Sequence, residues 1–169
     1  MNIPPQEGLF VDHHGRLHRP PSEEPPRQRR GIHVALLHED HLLLVQPPEA
    51  DWLEMPGGGL EEGESPAEAL SRELSEEAGV RLPASVLRPS AELRLTSRYY
   101  SSNNQAYWLY DQIFYLIRLA DPPPVGTPLE AGHVRLWTPL EKLSGVTLHH
   151  VHRLGLEGLL EQTCASRRS

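Results

Sequence analysis

The stretch from Gly57 to Val80 constrains this chain more than any other part of it. It opens on three glycines, Gly57-Gly58-Gly59, and continues into a segment whose helix boundaries are written in single residues. Ser65 is a good N-cap, Pro66 sits at the first helical position where its missing N–H costs nothing, and Glu68 completes a capping box. Gly79 supplies the left-handed residue that ends the helix. At about 100° per residue, Ala67, Leu70, Leu74 and Ala78 fall on one stripe, expected to face a core. Glu73, Glu76 and Glu77 fall on the adjoining stripe, with Arg72 at its edge beside Glu76. Like charges at this spacing repel by a few tenths of a kcal/mol per pair, roughly, so the face is in want of a cation.

The flanking segments supply the scaffold. Ile32–Leu37 and Leu42–Val45 are aliphatic runs separated by a polar turn, and read as adjacent strands. Pro47-Pro48 stops the second, and Trp52–Met55 is a brief extended piece leading into the glycines. The segments 86–100 and 106–119 read as long strands around the Ser101–Asn104 turn, and Val134–Trp137 as a last strand. A short helical turn from Pro139 and a terminal helix over Leu148–Gln162 complete the chain, despite Gly155 and Gly158. Ahead of these, Gly8–Val11 and Arg16–His18 flank His13-His14-Gly15 as a small hairpin, and Arg19–Arg30 reads as a proline-bearing strap packed on its own domain or on a second copy in a homodimer.

A chain of 169 residues fits one domain. Its net charge of -7 leaves no basic field to hold nucleic acid through its phosphates, so a polyanionic substrate needs a cation brought to the site. One cysteine, Cys164, excludes an intrachain disulfide and points to a reducing compartment. With no long apolar run in the sequence, the chain reads as soluble and cytoplasmic, with no membrane partner.

Hard divalent ions prefer oxygen ligands and are commonly held by a few carboxylates together with substrate phosphates. A lone Glu-x-x-Glu-Glu would ordinarily be a solvated acidic face. Here a glycine loop immediately before the helix lets backbone approach an ion closely, and the helix N-terminus favours phosphate. Together they point to metal-assisted cleavage of a phosphoanhydride by water.

At the level of spacing, Gly58, Glu64, Arg72, Glu73, Leu74, Glu76, Glu77, Gly79 and Val80 match every position of the Nudix box, and the chain is identified on these residues as resembling the Nudix hydrolase family. The resemblance implies an α/β fold, an α/β/α sandwich around a central mixed sheet, over residues 31–163, with an arm at 1–30 and a tail at 164–169. It implies hydrolysis of a nucleoside diphosphate linked to another group, with Mg²⁺ or Mn²⁺ as cofactor. Glu73, Glu76, Glu77 and the carbonyl of Gly57 would be metal ligands; Arg72 would orient a neighbouring carboxylate, and Glu64 would contribute nearby. A late-loop acid often joins them, and Glu130 looks similar to that residue, ahead of Asp111 and Glu141.

Gly57, Gly58 and Gly59 are candidates to approach the substrate, and Trp52 and Tyr99 to stack on a base at roughly 1–3 kcal/mol, although core packing is the commoner role of such rings. His149-His150-Val151-His152 is expected to be structural or surface-facing. A Nudix-fold nucleotide-sensing module without turnover is the alternative function, disfavoured because a sensor has no need of the whole acidic set. Capped RNA as a substrate is disfavoured by the charge balance, with the His- and Arg-bearing arm its one point of support.

Overall fold

A twelve-residue strand, β3 (Arg27–His38), runs through the middle of the sheet in this computed structural model, which describes residues 8–21 and 25–166. Residues 1–7, 22–24 and 167–169, parts of the expected arm and tail, lie outside the described residues. The other strands are β1 (Phe10–Val11), β2 (Leu17–His18), β4 (His41–Gln46), β5 (Gly57–Gly59), β6 (Ala91–Ser101), β7 (Ala106–Leu119) and β8 (Val134–Pro139); the helices are α1 (Pro66–Ala78) and α2 (His150–Ser166). Among the described residues the sheet order is β2-β1-β6-β7-β3-β4-β8, with β5 added to β3. It is mixed: β3 runs parallel to β7, whereas β6/β7, β3/β4 and β4/β8 are antiparallel.

The alternation of strand side chains assigns the two faces. Ile32, Val34 and Leu36 of β3 join Leu43 and Val45 of β4 beneath Leu70, Leu74 and Ala78 of α1. Ala35 and Leu37, with Leu42 and Leu44, turn to the opposite face and pack with Phe114, Val151, Leu156 and Leu159 beneath α2. The result is the expected α/β/α sandwich. Leu70 and Leu74 are fully buried, each withdrawing from water for roughly 1.5–3 kcal/mol.

The hairpin forms around His13-His14-Gly15 as the turn residues predict, with Phe10 opposite His18, and Asp12 Oδ1 accepts from the backbone N–H groups of His14 and Arg16. The expected strap is corrected in one part. Arg27–Arg30 are strand, not linker, because their backbones pair with Trp108–Asp111 of β7 while their side chains stay exposed. Arg27 and Arg29 lie over the Trp108 ring at 5.6 and 5.9 Å, which covers aromatic surface without an apolar residue. Two further differences concern the helices. Ala67 is only half-buried and Ala69 takes its place in the core. The terminal helix runs on to Ser166, beyond the boundary set at 163. No helix among the described residues is long and apolar enough to cross a membrane.

Candidate active site

Helix α1 begins and ends where its cap residues say it should. The Ser65 hydroxyl accepts from the Glu68 backbone N–H while the Glu68 carboxylate accepts from the Ser65 N–H, and Gly79 closes the helix at φ 63°. Fixed in this way, one face carries Leu70 and Leu74 into the core, and the next face carries Glu73, Glu76 and Glu77 into a cavity of about 550 Å³ that β3 and β7 also line. Glu73 and Glu77 are buried, at 7% and 8% exposure; Glu76 is half-buried.

Arg72 ties this acidic face together. Its Nη1 donates to Glu73 Oε1 (2.7 Å) and Glu76 Oε2 (3.1 Å), its Nε and Nη2 donate to the two oxygens of Glu64 (2.9 and 3.0 Å), and Nη2 also donates to the Gly59 carbonyl (3.0 Å). Glu64 therefore holds the guanidinium in a bidentate grip and is not among the residues lining the cavity. Glu77 lies beyond this arginine and accepts the Gly57 N–H at 3.0 Å. Burial raises the Glu73 carboxyl above its ordinary pKa against the pull of Arg72, and raises Glu77 well above it, with Glu54 adding repulsion. The cluster holds more buried negative charge than one guanidinium offsets.

The glycine loop fits against these carboxylates. Gly57, at φ 148°, lies so close to β3 that a side chain would strike the Ile32 carbonyl and His33, and a Cβ at Gly58 would collide with the Glu73 carboxylate. Backbone alone can fill the space between β3 and the acidic face. Glu130 arrives from the loop before β8, where its N–H donates to the Glu76 carbonyl at 2.9 Å, and it lines the cavity. His133 stands beside it, with Nδ1 3.6 Å from Glu130 Oε2 and Nε2 3.9 Å from Glu77 Oε1.

The opposite wall is neutral and aromatic: His33, Tyr99, Tyr110, Gln112, His149 and His152, with Arg29 at the side. Burial depresses His33 and His149 to about 3 and His152 well below its usual range, so all three are uncharged imidazoles at neutral pH. Hydrogen bonds set two tautomers. Met55 N–H donates to His152 Nδ1 (3.1 Å), placing that proton on Nε2. Ser97 Oγ donates to Gln112 Oε1, so the Gln112 amide nitrogen, 3.1 Å away, donates to His33 Nε2. Burial raises the Glu54 carboxyl, at the cavity's edge, to about 7, with the Trp52 indole N–H opposing.

Of the residues expected from sequence, Glu73, Glu76, Glu77, Arg72, Glu130, Gly57, Gly58 and Tyr99 line one cavity. Gly59 and Glu64 stand behind it as partners of Arg72. Trp52 does not reach it: its ring stacks on His13 at 3.7 Å, and the hairpin that holds His13 was not placeable from local sequence. Asp111 accepts from Thr96 Oγ1 away from the cavity, and Glu141 is exposed on the turn at Leu140–Gly145. His149 and His152 are buried, as a structural role would have them, and not surface-facing; His149 just ahead of α2 and His152 in its first turn both line the cavity wall. His33 and Glu54 were passed over within apolar or extended runs. His133 carried a weak signal, three residues after Glu130.

The donor set fits a divalent cation: buried carboxylates in excess of their counter-charge, a backbone loop without side chains, and a buried His133 Nδ1 with no hydrogen-bond partner. Glu77, Glu130 and His133 each offer a ligand atom, all within 4.8 Å of one another. His13, His14 and Asp51 form a second such group on the hairpin side, where His14 and Asp51 are exposed.

Fold and site together define a sheet sandwich with an acidic helix over a glycine loop, and the family model of the NUDIX domain matches residues 27–159. The chain belongs to the Nudix hydrolase family. It is 45% identical over 60 residues to Nudix hydrolase 25 of Arabidopsis thaliana, a match covering 33% of each chain. Its fold is similar to a bifunctional NMN adenylyltransferase/ADP ribose pyrophosphatase of Francisella tularensis complexed with AMP and Mn ion, with a TM-score of 0.63 and 22% identity over 83% of this chain and 43% of that one. It is also similar to the NUDIX domain of Shewanella oneidensis NrtR complexed with ADP ribose, with a TM-score of 0.61 and 18% identity over 84% of this chain and 94% of that one. The match thus spans about a third of the Arabidopsis relative and less than half of the Francisella chain.

Proposed function

We propose that this chain hydrolyses a phosphoanhydride bond in a nucleoside diphosphate linked to another group, with Mg²⁺ or Mn²⁺ as cofactor. The observation that carries the reading is the under-neutralised set of buried Glu73 and Glu77 with half-buried Glu76, facing a glycine loop across one cavity. Glu73, Glu76, Glu77 and the Gly57 carbonyl would hold the cation, whose charge offsets the phosphates and lowers the pKa of an attacking water. Arg72 keeps Glu73 and Glu76 in place through its grip on Glu64. The bare backbone at Gly57 and Gly58 leaves room for phosphate oxygens. Glu130, at 52% side-chain exposure, stands where it can add a ligand to the ion or accept the water's proton. The neutral His/Tyr wall receives the remainder of the substrate, where an uncharged donor surface suits sugar hydroxyls or a base.

ADP ribose, bound by the Shewanella domain, is the first compound to test, followed by nucleotide sugars and dinucleoside polyphosphates, each with either ion. Hydrolysis to two phosphate-bearing products, abolished by Glu76→Gln, is the expected result. Tight nucleotide binding with no turnover anywhere would replace the enzyme by a sensing module. Cys164, exposed on α2, is the sole thiol and is consistent with the cytoplasm.

A further inference from the structure

We propose that His133 supplies a nitrogen ligand to the divalent cation of this cavity, beside Glu77 and Glu130, so that the site favours a first-row transition ion, manganese among them, over magnesium. The inference rests on the metal-dependent reading above and names the cation class within it.

The loop that carries His133 is fastened to the end of α1 on both sides. Before it, the N–H groups of Leu129 and Glu130 donate to the Ser75 and Glu76 carbonyls (3.3 and 2.9 Å). After it, Arg135 Nη1 donates to the Ala78 and Gly126 carbonyls. Gly132, at φ 87°, turns the chain between these anchors. The imidazole is thereby set between two carboxylates, with its side chain 10% exposed. Two ligands at about 2.1 Å from one ion stand about 3 Å apart when adjacent and about 4.2 Å apart when opposite. One nitrogen of His133 and one carboxylate oxygen each of Glu77 and Glu130 lie within 4.8 Å of one another, near the span of such ligands, while the shortest approaches, Nδ1 to Glu130 at 3.6 Å and Nε2 to Glu77 at 3.9 Å, are too long for hydrogen bonds. A histidine kept for structure would ordinarily spend a buried Nδ1 on a partner; here Nδ1 has none. Magnesium is a hard ion that prefers oxygen throughout, whereas first-row transition ions accept imidazole readily, so one nitrogen among carboxylates shifts the preference.

The test is manganese binding to the full chain, read by pulsed electron paramagnetic resonance for ¹⁴N coupling and by competitive titration against magnesium. Wild type, His133→Ala, His133→Gln and Glu76→Gln are compared, with metal-free melting curves as the control for folding. Wild type should show the coupling of a directly bonded imidazole, and both His133 variants should lose it. Manganese affinity should fall at least about tenfold in those variants, with magnesium affinity changing much less. Manganese bound to wild type without nitrogen coupling, or coupling that persists in whichever His133 variant folds, overturns the ligand role while leaving the metal site standing. Manganese affinity indifferent to Glu76→Gln overturns the acidic site itself.

Discussion

The two helices pack on opposite faces of one sheet and line one cavity, yet they are made in opposite ways. Helix α1 is specified by its own ends: Ser65 and Glu68 close one, Gly79 the other, and its charged face is set by residue spacing. Helix α2 carries two glycines in its interior, and what holds it is its neighbours. Gly155 lies against the Phe114 ring and Gly158 against Leu93, so close that an added Cβ would stand 2.8 and 2.7 Å from them. The first helix brings charge to the cavity through local rules. The second brings neutral histidines through long-range packing, and depends on having no side chain at the points of contact.

The sharpest separation of the two comes from Glu76→Gln, expected to lower turnover by about 10²-fold or more, the scale of removing one preorganised charge-stabilising group. Melting should move little, because Glu76 is half-buried and its loss relieves repulsion within the acidic face. A large fall in melting temperature in metal-free buffer would make the acidic face structural and erase the contrast.

Gly155→Ala should lower stability by about 1–3 kcal/mol through overpacking against Phe114. In an isolated helix the same change would stabilise by about 1 kcal/mol. Urea titration decides: a gain in stability would mean that α2 is governed by local propensity after all.

Ser65→Ala, which removes the hydroxyl half of the capping box, should lower stability by about 1 kcal/mol. No change in the denaturation midpoint would show that α1, like α2, is held by the sheet and not by its ends.

An effect that appears only as pH rises concerns Glu54, on the piece of chain between the strands and the glycine loop. Its folded-state pKa of about 7 stands above the ordinary carboxyl value of 4.5, so its ionisation opposes folding. Below 4.5 it is protonated in both states and contributes nothing; as pH rises towards 7 and beyond, it is destabilising. Glu54→Gln in chelator should therefore melt as wild type does at pH 4 and higher than wild type at pH 8. Equal melting at both pH values would contradict the raised pKa.

The box glutamates, their arginine and the two cavity-lining glycines were legible because all of them sit within one turn of a signal that acts locally: a cap, a glycine, a spacing of three or four. Glu130 was legible by likeness of position alone, and its N–H bond to the Glu76 carbonyl shows what brings it back to the helix. Trp52 was misplaced because its partner, His13, lies on a hairpin whose seat beside β6 is decided by the parallel pairing of Val11 with Tyr99. Arg27–Arg30 read as a strap because charged side chains give no strand periodicity; their strand is decided by the ladder to β7.

By itself the sequence determined the acidic helix, its buried stripe and the chemistry such a face invites, since capping and helical periodicity act over a few residues and do not depend on the rest of the chain. Only the tertiary structure decided what stands opposite that face. His33, His133 and the pair His149 and His152 come from three separate stretches of chain, and in each a histidine among apolar or loop residues looks the same whether it faces solvent, core or cavity. Burial makes three of them neutral, and a fastened loop places the fourth between two carboxylates. Both effects depend on which distant atoms come near, and no local rule encodes them.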